Sequence, residues 1–380
     1  MKAIRTLLAL LKRLPRTERF WKRFNGAFIG VLGGCTAILG SLIFLVDPLG
    51  VVPFSLPIDR PIVDIKQRHF YPLVIRSQRY DSFVLGTSTS RLLDPDDLDL
   101  TLGHRFANLA LNDGRAWEAW SLADLYLREV GVPKTILIGL DGVWCHPEAD
   151  KPENRITKRG FPAWIYDEDP WNDMAYLVNG RMVEFAGRTI VTLLGLRPER
   201  LAKNGFAVFV PPEADYDLER ARQHIWGDGP RQVAIVEPAV TLTATERAAL
   251  PFPAVQWIED LQTRTAGKTE FIYVWMPVHQ RSQPAPGSRE AAIEEECKSR
   301  IDRLAQQAGA LVIDWRIPSP LTRQDGNYWD ALHYRLPVAG AIVDSIAEAR
   351  SGRRAGDERV WVARSYPNDM PVSSAIDSAQ

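Results

Sequence analysis

Ser88 follows a turn glycine at the end of an apolar run, in Val84-Leu85-Gly86-Thr87-Ser88-Thr89-Ser90. Asp330 and His333 stand three residues apart in Tyr328-Trp329-Asp330-Ala331-Leu332-His333-Tyr334. A hydroxyl, an imidazole and a carboxylate are the set that acyl transfer through a serine ester requires. They supply a nucleophile, a general base, and a group that orients the base and favours its imidazolium form. A strand that ends in glycine can turn sharply, so the next residues leave the sheet edge with their backbone exposed. A hydroxyl there can attack a carbonyl while its own N–H helps to bind the developing oxyanion. Ser90 competes for the role, but Ser88, two residues beyond Gly86, is the preferred nucleophile. Neither stretch decides the matter alone, because Thr and Ser after a strand also cap helices and Asp-x-x-His also occurs in solvated turns. Their conjunction, one at the first strand and one just before the last helix, points to an activated serine.

Short apolar runs alternate with longer helical patterns from about residue 80, which predicts a parallel α/β sheet. The expected strands are Ser82–Leu85, Phe106–Leu109, Thr135–Leu140, Phe271–Met276 and Leu311–Asp314. The expected helices are Trp117–Glu129, Thr245–Thr265, Arg289–Gln307 and Val338–Arg350, with Pro133 and Gly309 as stop signals. The fold class is therefore α/β, a three-layer flavodoxin-like sandwich whose sites gather at the carboxyl ends of the strands. The Gly86 turn, Asp141 and the loop from Pro277 fall there. The chain divides into a basic segment 1–25, an apolar helix 26–46, a linker and entry segment 47–79, a main domain 80–350 and a polar tail 351–380. Within the main domain, 142–244 forms a long insertion rich in Trp, Pro and charge, placed to act as a lid or substrate-binding subdomain, with structural ornament as the alternative.

At 380 residues and 46% hydrophobic side chains, the chain can build one large core. Its formal net charge of -1 hides a division. Residues 1–25 carry eight basic side chains and one acid, Glu18; outside them 38 basic and 46 acidic residues remain of the chain's 46 and 47. That acidic remainder argues against a nucleic-acid partner. The uncharged stretch Gly26–Val46 has twenty-one residues, about 30 Å of helix and enough for a bilayer core. With the basic head retained inside, residues from about 47 onward are expected outside the inner (cytoplasmic) membrane. Leu32-Gly33-Gly34-Cys35 has the look of a lipoprotein cleavage box, but the apolar run continues past it, so an uncleaved single-pass anchor is the reading. Residues 3–14 fit an amphipathic helix on the cytoplasmic face. Cys145 and Cys297 lack C-x-x-C partners and are read as buried thiols, with one disulfide between them as the alternative. The six histidines show no metal-ligand spacing, no Gly-rich phosphate loop is present, and no cofactor is implied.

On these motifs the chain resembles the SGNH/GDSL-type hydrolases. Gly86-Thr87-Ser88 matches the family's first-strand Gly-Asp-Ser, with Thr87 in place of Asp, and Asp330 and His333 match its terminal Asp-x-x-His. Phe106-Ala107-Asn108-Leu109-Ala110-Leu111-Asn112-Asp113-Gly114 resembles the second block, whose glycine N–H lines the oxyanion hole; the resemblance assigns that role to Gly114. The third block, Gly-x-Asn-Asp, reads Gly139-Leu140-Asp141-Gly142 here. An ionised Asp141 would repel an oxyanion; facing away, binding a substrate hydroxyl or orienting another group are the roles left to it, and Asn112 is the substitute donor. The anchored layout is also similar to the D-alanyl transfer protein of teichoic acid synthesis and to polysaccharide O-acetylation factors. The order of the triad matches the D-alanyl group, which has Gly-Ser-Ser at the turn, better than the alginate factors.

The resemblance implies a membrane-anchored serine esterase or O-acyltransferase that acts on O-acyl groups of an envelope glycan and draws on a membrane acyl-donor partner. Ser88 would attack, His333 would act as base and Asp330 would orient it. Two rivals stand beside it: an inactive scaffold that binds glycan or recruits a membrane partner, and a lipid-directed esterase. Four further features carry less. His279 is a loop histidine near the expected site, and Arg91 and Arg335 flank the triad. The tryptophans of the insertion, Trp144, Trp164, Trp171 and Trp226, are possible sugar platforms.

Overall fold

The computed structural model describes Arg16–Tyr366; the expected helix at 3–14 and the end of the tail lie outside the described residues. Contacts divide the chain into two units, one made of the chain up to Val63 with Asp169–Pro198, the other of Asp64–Glu168 with the chain from Glu199.

The second unit holds a mixed α/β fold with a six-stranded sheet. Its strands are β1 Ser82–Leu85, β2 Phe106–Asn108, β3 Thr135–Leu140, β4 Glu270–Trp275, β5 Leu311–Asp314 and β6 Val362–Ser365, in the order β2-β1-β3-β4-β5-β6. The first five run parallel, and β6 pairs antiparallel to β5 at the edge. Strands buried on both faces read as continuous apolar runs, which is why TILIGL and FIYVW were recognisable. The helices of six or more residues in this unit are α2 Gln67–Arg76, α3 Pro95–Leu102, α4 Ala116–Glu129, α7 Leu218–Trp226, α8 Ala244–Ala249, α9 Pro253–Thr265, α10 Arg289–Ala308 and α11 Leu336–Arg350. Val84, Leu137, Ile272 and Ile313 share one core cluster with residues of α3, α7 and α11. Phe83, the neighbour of Val84 in β1, turns to the opposite face, where its ring meets Tyr126 of α4. Alternate strand residues thus bury against helices on two sides, each fully buried large side chain contributing about 1.5–3 kcal/mol.

Three expectations change here. Residues 351–366 do not begin a tail, because they add β6, whose Arg364 binds Asp302, Asp314 and Glu295. The helix expected over Thr245–Thr265 is two helices, broken where buried Phe252, flanked by Pro251 and Pro253, takes φ 38°. Cys145 and Cys297 are joined in a disulfide rather than standing as thiols; it links the loop after β3 to α10.

The first unit contains α1 Arg16–Val46, α5 Pro170–Leu177 and α6 Gly180–Leu193. α1 is long and apolar enough to cross a membrane, which is compatible with an anchor or a signal sequence. Its last turn is finished by Asp47, whose carboxylate accepts from the N–H groups of Val51 and Val52. Part of the 142–244 insertion, Asp169–Pro198, therefore belongs with this helix and not with the sheet.

Candidate active site

The turn that carries Ser88 is shaped by two glycines. Gly86 has φ 151°, and a Cβ there would stand 2.3 Å from Ser90 Oγ and 2.9 Å from the Gly139 carbonyl. A Cβ on Gly139 would stand 1.9 Å from the same Ser90 Oγ. Ser90 therefore fills the space between β1 and β3; it is fully buried, with no hydrogen-bond partner for its hydroxyl. Of the two serines, Ser88 is the one whose side chain is accessible.

Asp330 and His333 sit on a tight turn. Trp329 N donates to the His333 carbonyl at 2.8 Å, Arg335 N to the Asn327 carbonyl at 2.9 Å, and Tyr328 pairs with Tyr334. Asp330 Oδ1 accepts from the N–H groups of Leu332 and His333 at 2.7 and 2.8 Å. That leaves Oδ2 for His333 Nδ1 at 2.7 Å. His333 Nε2 then stands 2.9 Å from Ser88 Oγ. The three-residue spacing matters because it lets one carboxylate fix both the turn and the imidazole. Burial pushes the Asp330 pKa up, but the His333 interactions and the two backbone donors outweigh it and hold the carboxyl below its usual value. The Tyr334 hydroxyl donates to the Thr89 carbonyl, tying this turn to the serine turn.

A cavity of about 290 Å³ opens beside Ser88. Gly114, Asp141 and Arg115 line it; Asn112 does not. Asn112 Oδ1 accepts from Arg91 at 2.8 Å, outside the cavity lining. Gly114 belongs to a loop held from below by α2. Gln67 Oε1 accepts from Asn112 N, and buried Arg68 donates to the Asn112 and Asp113 carbonyls. Arg68 also pairs with buried Glu118 at 2.8 and 2.6 Å, and Glu118 accepts from Arg115 N. Arg115 precedes the N-terminus of α4, so partial positive charge borders the cavity.

Asp141 is buried, and its carboxylate is turned to the serine turn. It accepts from the Thr87 hydroxyl, from Thr89 Oγ1 at 3.3 Å and from Val143 N at 3.1 Å. Burial raises its pKa, opposed by those hydrogen bonds and by the charge of Arg316, itself paired with Glu294. Its visible role is to brace the residues on either side of Ser88.

Residues of the insertion surround the His333 turn. The Phe209 ring meets His333 edge-on at 5.2 Å, and Arg91 covers the same phenyl ring at 4.7 Å. Glu213 pairs with Arg335, and the Tyr216 hydroxyl donates to the Asp325 and Tyr328 carbonyls. Arg222 and Trp226 of α7 both donate to the Asp325 carboxylate. Nothing in the sequence pattern marked Phe209, Glu213 or Tyr216, which reach the site only through the tertiary fold. His279 is fully buried between Trp226 and Tyr328, its Nε2 3.2 Å from Asp325 Oδ1, and it does not line the cavity. None of the insertion tryptophans lines it either; Trp144 and Trp226 are buried, and Trp171 is in the first unit. Among the described residues, no group of three or more His, Cys, Asp or Glu is placed to hold a metal ion.

No protein-family model matches the chain, and no curated protein is similar to it.

Proposed function

We propose that the chain is a membrane-anchored, extracytoplasmic SGNH-like serine esterase or O-acyltransferase acting on O-acyl groups of an envelope glycan. The observation that carries this reading is the Ser88–His333–Asp330 relay, with contacts of 2.9 and 2.7 Å at the mouth of a cavity. The parallel strand order 2-1-3-4-5 is that of doubly wound, flavodoxin-like sheets and supports the same fold family. The Cys145–Cys297 bond favours an oxidising compartment, in keeping with a domain outside the inner membrane.

In the proposed reaction, Ser88 Oγ attacks the acyl carbon as its proton passes to His333 Nε2. Asp330 holds the imidazole by Nδ1 and stabilises its charge. The N–H groups of Ser88 and Gly114 receive the oxyanion. Collapse expels the alcohol, which takes the proton from His333 and leaves an ester on Ser88. Water or a sugar hydroxyl, deprotonated by His333, then takes the acyl group as the bond to Ser88 Oγ breaks and His333 returns the proton to Oγ; the two outcomes share the first half-reaction. The two departures from the family pattern, Thr87 and Asp141, are in direct contact. Their polarity is exchanged: the position after Gly86 now donates and the position after Leu140 accepts. This exchange keeps the turn braced while removing the amide donor from the oxyanion side.

The test is incubation with an activated acetyl ester, followed by mass spectrometry of the Ser88 peptide and by release assays with and without added glycan. A transient acetyl-Ser88 that releases acetate supports an esterase, and faster release on glycan addition with acetylated product supports a transferase. Absence of any acyl-enzyme in folded protein contradicts both. The carboxylate of Asp141 in the cavity favours one second reading, an inactive glycan-binding scaffold, which predicts glycan binding unchanged by Ser88→Ala.

A further inference from the structure

We propose that the outer end of α1 and the α5–α6 segment form an apolar collar that rests in the headgroup and upper acyl region of the bilayer α1 crosses. This inference rests on reading α1 as a membrane-spanning anchor and adds a second lipid contact to it.

α1 has a sharp change of environment near its C-terminus. From Phe20 to Leu39 its side chains are exposed, whereas Ile43 and Val46 are buried and Asp47, just beyond, is fully buried. α6 and α5 pack against α1. α6 turns Met182, Phe185, Ala186 and Thr189 inward, the i, i+3, i+4, i+7 spacing of one helix face. Beyond Thr189 the pattern reverses and the segment presents apolar side chains outward. Leu193, Leu194 and Leu196 are 46, 66 and 75% exposed, and Arg197 follows them. A soluble surface has no reason to collect three outward leucines within four residues.

The segment after α1 does the same. Leu56 N donates to the Leu45 carbonyl at 3.0 Å, which holds exposed Phe54 and Leu56 at the helix end. Arg60 fixes that loop by donating to the carbonyls of Val46, Asp47 and Leu56. The occupant of this surface follows from its continuity with α1. Lipid that covers the exposed apolar length of α1 would reach Leu45, itself 46% exposed, and there meet exposed Phe54 and Leu56. The uncharged part of α1 matches a hydrocarbon core of about 30 Å, which puts Leu45 at its edge. Trp171, 73% exposed, and Tyr176, 54% exposed, lie on α5, and such aromatics favour the membrane–water boundary. Arg197 at the end of the leucine run suits an anionic headgroup.

The experiment uses the full chain in nanodiscs of phosphatidylcholine and phosphatidylglycerol with an environment-sensitive fluorophore on single cysteines. The native Cys35, the one cysteine outside the disulfide, reports α1. Leu194→Cys and Leu196→Cys, each with Cys35→Ser, report the collar; both leucines are exposed, so the fold should tolerate them. Nitroxides on the acyl chains quench a lipid-embedded probe, and aqueous iodide quenches a wet one. The expected result is a blue shift and loss of emission with nitroxide at Cys35, 194 and 196, with protection from iodide at all three. Iodide quenching at 194 and 196, with nitroxide quenching kept at Cys35, overturns the collar and leaves the anchor. Protection from both quenchers at 194 and 196 means that protein covers them, and overturns the lipid assignment. No nitroxide quenching at Cys35 removes the anchor reading itself, and the collar with it.

Discussion

The two halves of the proposed site are held by different means. The serine half, Gly86–Ser90 with the Asn112–Arg115 loop, is built into the sheet and braced by buried charge: Arg68 against Glu118, and Asp141 against two threonines. The histidine half, Asp325–Arg335, is held largely by the insertion, through half-exposed pairs such as Glu213–Arg335 and through Phe209 and Tyr216. Buried pairs are unforgiving when one partner is removed, whereas exposed ones contribute little each. The serine half is thus a consequence of folding of the sheet, and the histidine half depends also on the insertion, whose α7 adds Ile225 and Trp226 to the same core cluster.

The largest expected effect is on chemistry. Ser88→Ala or His333→Ala should reduce ester turnover by about 10⁴-fold or more, and Asp330→Asn by about 10⁴-fold, each with little change in stability. Turnover of an activated ester, read beside thermal unfolding, checks this. Equal activity in Ser88→Ala would remove the comparison altogether. On the serine side, Arg68→Ala leaves Glu118 buried and unpaired and should destabilise the domain by about 3–5 kcal/mol, measured by urea unfolding. Glu118→Ala should do the same, and a loss under about 1 kcal/mol in either variant would show that the buried pair holds the serine half no more strongly than an exposed pair would.

Asp141→Ala should lower kcat by about 10²-fold, through a misplaced Ser88, with a smaller change in KM. Asp141→Asn retains an acceptor for Thr87 and should lose less; steady-state kinetics of the two variants sharpen the bracing role. Glu213→Gln with Tyr216→Phe should lower kcat only several-fold and change stability by about 0.5–1.5 kcal/mol. The smallest effect is on pH dependence. The Asp330 carboxyl is held below its usual value, so its contribution to stability is present above the unfolded-state value and fades as pH falls through the folded one. Unfolding midpoints across the acid range should therefore lose a component in Asp330→Asn and keep it in Ser88→Ala.

Much of the sheet was legible because buried parallel strands leave unbroken apolar runs; β1, β3 and β5 begin and end where those runs do. β6 was not, because Val362-Ala363-Arg364-Ser365 is a short edge strand with no unbroken apolar run, anchored by the ion pairs of Arg364. α2 was missed for a related reason: it opens on Gln67-Arg68-His69, carries Pro72 inside, and its Arg68 makes sense only beside Glu118, 50 residues on. Ser88, Asp330 and His333 were legible because a turn glycine and an Asp-x-x-His spacing are local signals. Phe209 and Glu213 were not, since their partners lie more than a hundred residues away. The same holds for the Cys145–Cys297 bond, which the topology brings together across 152 residues. Asp141 was found by position, but its role as a brace needed the geometry of Thr87.

The central claim is that Ser88 is activated by His333 while Ser90 is packing. Labelling of the full chain with a fluorophosphonate serine probe tests it most directly, comparing wild type with Ser88→Ala, His333→Ala and Ser90→Ala. The account predicts stoichiometric labelling of wild type, its loss in Ser88→Ala and near loss in His333→Ala, and labelling retained in whatever fraction of Ser90→Ala folds. Folded wild type that takes no label, or label that persists in Ser88→Ala, would contradict it.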